Sequence, residues 1–261
     1  MKKLLLSLLL IGLWVTPAFA GASTDFDGTG DKVTVANHSS LNLPGGDATV
    51  AVWIKPDAFG SYTTVYEKGT SAAGREYSLF INSTTEGFLD WGGVGGPATV
   101  TFSPAMTTGE WQFVMVTNSG TTQKTYRNCV ENSSRTVATT ATGTDALEIG
   151  LDAAAGGSDY DGKQAWFHIY KGTALTTDQC KQIMNAPETI TPTATMLLPL
   201  DGRSPNPDLT GNGNSGTLTN ATASSDGPPV FFPKGRFYSR VPSAVTLSVL
   251  QGAVLQGATI N

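Results

Sequence analysis

The sequence predicts an all-β protein, an antiparallel β-sandwich carrying one short helix. Three observations predict it. Charged residues make up only 14% of the 261 residues, against a usual share of about 25%, and Gly (30) and Pro (14) are plentiful. Short runs of alternating apolar and polar residues recur roughly every ten residues, separated by Gly, Asn and Asp. One segment alone combines a helix start, an apolar helical spacing and a stop. Long helices and coiled coils need Ala, Glu, Lys and Leu instead, and are excluded. The net charge is −5 with no basic stripe, which argues against a nucleic-acid partner.

Residues 1–20, MKKLLLSLLLIGLWVTPAFA, open on Lys2 and Lys3. An apolar run follows, and Ala18-Phe19-Ala20 ends it as a small-x-small cleavage site. This is the pattern of a secretory signal peptide. The apolar run falls short of the about twenty residues that a membrane span needs. The expected protein is therefore secreted, extracellular or periplasmic, with no span after cleavage.

Candidate strands follow at 31–36, 48–55, 63–67, 75–82, 87–91 and 98–103, then at 111–117, 123–128, 134–138, 146–150 and 164–171. Leu41-Asn42-Leu43-Pro44-Gly45-Gly46 and residues 156–162 read as turns. Thr176-Thr177-Asp178-Gln179 has the form of a capping box, and Cys180, Ile183 and Met184 then share a helical face. Asn185 and Pro187 end that helix.

Beyond Pro187 the texture changes. A Thr/Pro linker (189–195) leads to an apolar strand (196–200), a Gly/Asn loop (208–216) and a proline-rich stretch (227–233). The tail 244–261 holds VLQGA twice in succession. Two copies are too few for a solenoid. The tail is either a poorly ordered end or a segment that pairs with a sheet edge and mediates self-association. The chain thus divides into 1–20, a domain over 21–187, a strand and loop segment over 188–233, and a tail over 234–261.

Cys129 and Cys180 are the only cysteines. In an oxidising compartment they either form a disulfide or stand as separate thiols.

Asp25-Phe26-Asp27-Gly28-Thr29-Gly30-Asp31-Lys32-Val33 resembles the opening of laminin-G-like, concanavalin A-like jelly-roll domains. ATVAVWIKP (48–56), VYEKG (65–69), YSLFIN (77–82), EWQFVMVTN (110–118) and DGKQAWFHIYKGTAL (161–175) continue the resemblance in order. It covers about residues 23–186 and implies a concanavalin A-like jelly roll with a short C-terminal helix. A segment at 198–219 resembles a strand and loop that relatives carry before the domain. It is read either as a permuted closing strand or as the stub of a second module; about forty residues cannot bury a core alone. Relatives often have an acidic pair in the last strand, where this chain has Ala165 and Trp166.

Three site chemistries follow. Glycoside hydrolases on this fold need two carboxylates at defined separation. None of the seven glutamates has another acid two residues away, so catalytic residues are not assigned and an enzyme is the least favoured reading. Asp25, Asp27 and Asp31 in a Gly-rich turn, with Asp161, Asp208, Asn212 and Asn214, are candidate calcium ligands; the same residues also make plain turns. Along 165–171, alternation puts Ala165, Phe167 and Ile169 on one face and Trp166, His168 and Tyr170 on the other. The second set, with Trp53 and Trp91, is either an outward sugar-stacking stripe or a layer covered by a loop or by the C-terminal segment.

The expected function is a lectin-like, non-catalytic recognition module for adhesion, binding glycans or a cell-surface or matrix protein, with Ca2+ as the candidate cofactor. A structural or assembly component and a carbohydrate-active enzyme are the alternatives.

Overall fold

A computed structural model describes residues 22–69, 75–92, 98–137, 143–152, 159–188 and 192–229. Residues 1–20 and the tail 234–261 with its VLQGA repeat lie outside the described residues.

The strands are β1 (Ser23–Asp27), β2 (Lys32–Val35), β3 (Ala48–Pro56), β4 (Thr63–Lys68), β5 (Tyr77–Ile81), β6 (Glu86–Trp91), β7 (Ala98–Thr101) and β8 (Gln112–Ser119). Then come β9 (Thr122–Arg127), β10 (Val130–Thr136), β11 (Leu147–Ile149) and β12 (Asp161–Lys171), the helix α1 (Thr177–Asn185), and β13 (Met196–Leu198), β14 (Gly216–Thr219) and β15 (Thr222–Ser224). Among the described residues they pair antiparallel into two sheets. One has the order β10-β9-β8-β3-β12-β1-β15, with β13 also on β12. The other has the order β14-β2-β11-β4-β5-β6-β7. This is a β-sandwich of the jelly-roll kind.

Period-two alternation turns one face of each sheet inward. Val33, Val52, Leu79, Leu89, Val114 and Phe167 meet between the sheets in one apolar core. The outer face of the eight-stranded sheet carries a second cluster, with Ala51, Phe113 and Met115 beneath Cys180 and Ile183 of α1. The helix starts as its sequence dictates. Gln179 N–H donates to Thr176 Oγ1 (3.3 Å), and Thr176 N–H donates to Gln179 Oε1 (2.8 Å).

A Cys129–Cys180 disulfide ties α1 to the β9–β10 turn. That turn is Asn128-Cys129, with φ of 49° and 62°. Positive φ at both central residues is what a tight type I′ hairpin requires, and Gly is the usual second residue. A cysteine accepts that backbone here, while its side chain is held by the bridge.

Segment 192–229 joins both sheets. β13 and β15 extend the eight-stranded sheet, and β14 pairs with β2 in the other. Asp226 latches this segment: Lys55 Nζ (2.6 Å) and Trp111 Nε1 (3.0 Å) both donate to its carboxylate. At Gly202, φ is 74° and an added Cβ would overlap Ala223 of β15, so only glycine lets the two backbones approach.

The structure places a strand, β1, where the sequence reads only a turn. Ser23–Asp27 pairs with both β12 and β15. Asp is a poor strand former, so local propensity hides what long-range pairing enforces.

Candidate functional site

The aromatic stripe of β12 is not an outward platform. Trp166 is 6% exposed, Trp53 4%, and His168 and Tyr170 are fully buried. Trp53, Trp166 and Tyr170 pack in the layer under α1 with Leu175 and Leu197, and Trp53 Nε1 donates to Met184 O (3.2 Å). Burial pushes His168 down to about 3, so its ring is neutral. Trp91 lies instead in the inter-sheet core against Tyr77. Simple alternation also fails at one point. Trp166 has φ of 53°, and the β12–β3 register shifts between Ala165 and His168. This bulge turns Ala165 outward with Trp166, while Phe167 and Ile169 stay in the core.

The candidate calcium ligands fall into two groups. Asp25, Asp27, Asp31 and Asp161 gather at one end of the sandwich, where Asp27 pairs with Asp161 across β1 and β12. Burial and the neighbouring Asp27, Asp25 and Asp159 raise Asp31; burial with Asp57, Asp25 and Asp27 raises Asp161. Their oxygens are already engaged in part. Asp31 accepts from Asp27 N–H (2.9 Å), Asp27 from Thr29 N–H (2.9 Å), and Lys163 Nζ sits 3.3 Å from both Asp25 and Asp57.

Asp208, Asn212 and Asn214 belong to the other end. Asn212 and Asn214 donate to Thr195 O, and Thr195 Oγ1 accepts from Lys171 N–H at the far end of β12. An eleven-residue strand separates the groups by about 33 Å. The Asp208 carboxylate is filled by the N–H groups of Leu197, Thr210 and Asn214 and by Thr210 Oγ1. Among the described residues no three His, Cys, Asp or Glu side chains are grouped to hold a metal ion. The candidate ligands thus form two separate groups and not one ligand set.

The outer face of the seven-stranded sheet has a different character. Inward residues such as Leu79 and Leu147 alternate with outward ones. Register aligns the outward set into a row: Thr217, Thr34, Glu148, Glu67, Ser78, Asp90. The adjoining row is Thr64, Phe80, Phe88, Thr99. A polar row thus lies beside an aromatic one.

Arg75 joins them. Its Nε lies 2.7 Å from Glu67 Oε1, its two Nη atoms 3.6 Å from Asp90 and Asp152, and its guanidinium carbon 4.9 Å from the Phe80 ring centroid. Burial pushes Glu67 up to about 7, Arg75 pulls it down, and the Asp152 carboxyl raises it again. Burial also raises Asp90, against Arg75 and Ser78.

Tyr62 caps the aromatic row. Its ring stacks on Phe88 (4.8 Å, 23°) and meets Phe80 edge-on (6.1 Å). It is 43% exposed and holds φ of 59°. A bulky exposed residue kept in a left-handed backbone points to a role other than packing.

Sequence reading missed this face. Glu67, Ser78 and Asp90 each alternate with core residues, which is a visible signal. The register that lines them up with one another is set by pairing and not by local sequence.

A laminin-G family model, described as the concanavalin A-like lectin/glucanases superfamily, matches residues 27–181. The chain belongs to this superfamily. The match ends inside α1, and β13 to β15, which lie beyond it, pair with strands of the two sheets. No curated protein matches the chain. Among solved structures, the chain is similar to a candidate carbohydrate binding protein from Bacteroides ovatus, with 18% identity and a TM-score of 0.60, over 81% of this chain and 62% of that one. The chain therefore spans about three fifths of that protein. A mutant NanB sialidase from Streptococcus pneumoniae matches at 18% identity and a TM-score of 0.50, over 64% of this chain and 28% of that one. A heptameric pentraxin from Limulus polyphemus matches at 15% identity and a TM-score of 0.48, over 76% and 97%. At these identities the likeness to the first two establishes the fold alone.

Proposed function

We propose that this chain is a secreted, lectin-like recognition module, and that glycans bind on the outer face of its seven-stranded sheet around Tyr62. The exposed Tyr62 ring, seated on Phe88 beside the Arg75 carboxylate set, carries the proposal. A sugar presents an apolar ring face and a rim of hydroxyls. The exposed Tyr62 ring answers the first, and Thr99, exposed in the same aromatic row, offers a hydroxyl to the second. On the opposite sheet, among the described residues, α1 packs over Trp53, Trp166 and Tyr170. The carbohydrate-binding description of the Bacteroides ovatus protein supports the class of ligand.

The reading is non-catalytic. Glu67, Asp90 and Asp152 all converge on one guanidinium, which supports a structural role for the three carboxyl groups. Secretion is supported by the leader-like residues 1–20 and by the disulfide. The proposed recognition does not require calcium: Asp27 and Asp31 accept from backbone N–H groups and Asp25 pairs with Lys163.

The test is a glycan array probed with the full chain, first in calcium and then in chelator. Selective binding that survives chelation is the expected result. A blank array removes the glycan reading. Binding lost in chelator returns calcium to the contact.

A further inference from the structure

We infer that this face takes a linear oligosaccharide laid across its strands, from Tyr62 to the edge strand β7, and that Glu86 reads the sugar hydroxyls. The inference rests on the glycan reading above and names the shape of its ligand and a residue that selects it.

Exposure picks out one corner of the face. Thr64 and Glu67 of β4 and Phe80 of β5 are buried. Toward the edge the side chains open: Glu86 and Phe88 of β6 are half-buried, and Thr99 and Thr101 of β7 are exposed. Among the described residues β7 is the last strand of this sheet.

Register sets the open side chains in line. Phe88 pairs with Thr99, and Glu86 with Thr101. Thr63 pairs with Ile81 and Ile81 with Gly87, so Tyr62 and Asn82, one residue beyond, fall in the row of Glu86 and Thr101. From β4 to β7 is three interstrand steps, about 14 Å, roughly the length of three linked sugar rings.

The polar part of this row is held in place. Asn82 Nδ2 donates to Glu86 Oε2 (3.0 Å), and Glu86 N–H donates to Ser83 Oγ (3.1 Å). A carboxylate offers about four acceptor positions, and Asn82 takes one. Neighbouring sugar hydroxyls can donate to the others while Tyr62 and Phe88 meet a ring face. Hydrogen bonds to a charged acceptor are roughly twice as strong as neutral ones, so discrimination among hydroxyl patterns concentrates at Glu86. Glu is a poor strand former and alternates here with inward Gly87 and Leu89, so core packing does not account for its place beside Phe88.

The experiment measures binding of the full chain to neutral gluco-, galacto-, manno-, xylo- and arabino-oligosaccharides, each as a series from monosaccharide to hexasaccharide. In the bound series, affinity should climb at least about tenfold from monosaccharide to trisaccharide and change by less than about twofold beyond it. Glu86→Ala should lower trisaccharide affinity at least about tenfold. Glu86→Gln keeps the size of the side chain and an oxygen for Asn82, so it should unfold in urea as wild type does. It should still narrow the preference between the best series and its epimeric counterparts. Full affinity at the monosaccharide, affinity still climbing at the hexasaccharide, or an unchanged preference in Glu86→Gln overturns the inference and leaves the glycan reading standing. A blank on every series overturns both.

Discussion

Arg75 Nε and Glu67 Oε1 stand 2.7 Å apart on the outer face of the seven-stranded sheet, and the same guanidinium reaches Asp90 and Asp152. The pair bridges a chain turn: Glu67 ends one strand of the β4–β5 hairpin and Arg75 precedes the other. Removing the cation leaves three acids facing one another with little water. Arg75→Ala should therefore cost about 3–5 kcal/mol in urea unfolding. Arg75→Lys keeps the charge but loses the planar fork that serves three partners, so it should fall between the two.

Glu67 and His168 pull the pH dependence of stability in opposite directions. Burial lifts Glu67 from 4.5 to about 7, so between these values the fold holds a proton that the unfolded chain has released. Its contribution falls as pH rises through that window. Burial lowers His168 from 6.5 to about 3, so between these values the unfolded chain takes a proton that the fold refuses. Its contribution is lost as pH falls below about 6.5. Each slope approaches about 1.4 kcal/mol per pH unit, and the two offset each other between about pH 4.5 and 6.5. Glu67→Gln removes one slope. Relative to wild type, its stability should rise with pH across that window. Parallel curves would show that Glu67 does not titrate there.

The disulfide closes a span of 51 residues between the β9–β10 turn and α1. In the chain-entropy model that is worth about 4 kcal/mol. The double change Cys129→Ser with Cys180→Ser should lower stability by that order and loosen α1 from the rings beneath it. Increased exposure of Trp53 and Trp166, read by fluorescence quenching, would report the second effect.

Gly202→Ala tests how 192–229 docks. The added methyl meets Ala223, and the left-handed backbone disfavours it further. A loss of about 1–3 kcal/mol in urea unfolding is expected. No loss would mean that β15 yields without consequence for the sandwich.

The fold was legible where one residue decides a local structure. Thr176 and Gln179 announce the helix start, and the alternation in 48–55 and 111–117 announces the central strands. It was not legible where a distant partner decides. β1 is a strand because β12 and β15 flank it, although its sequence is Asp-rich. Trp166 breaks the alternation of β12 because Pro199 O takes its N–H (3.0 Å). The same limit hid the site. Of the aromatic residues that stood out in sequence, Trp53, Trp166 and Tyr170 are buried under a helix and Trp91 between the sheets. The exposed Tyr62 sits in an unremarkable turn, and only sheet register brings it beside Phe88 and the Arg75 set.

The most direct measurement is the affinity of wild type and Tyr62→Ala for the same array-selected neutral glycan, by calorimetry, with urea unfolding run on both. Tyr62 is partly exposed but packs on Phe88 and Phe80, so its loss should cost about 1–3 kcal/mol of stability and leave the protein folded. The account predicts at least about a tenfold loss of affinity in a variant that urea unfolding shows to be folded, in the range of one aromatic contact. Equal affinity in the two proteins would contradict it and place the binding surface elsewhere on the sandwich.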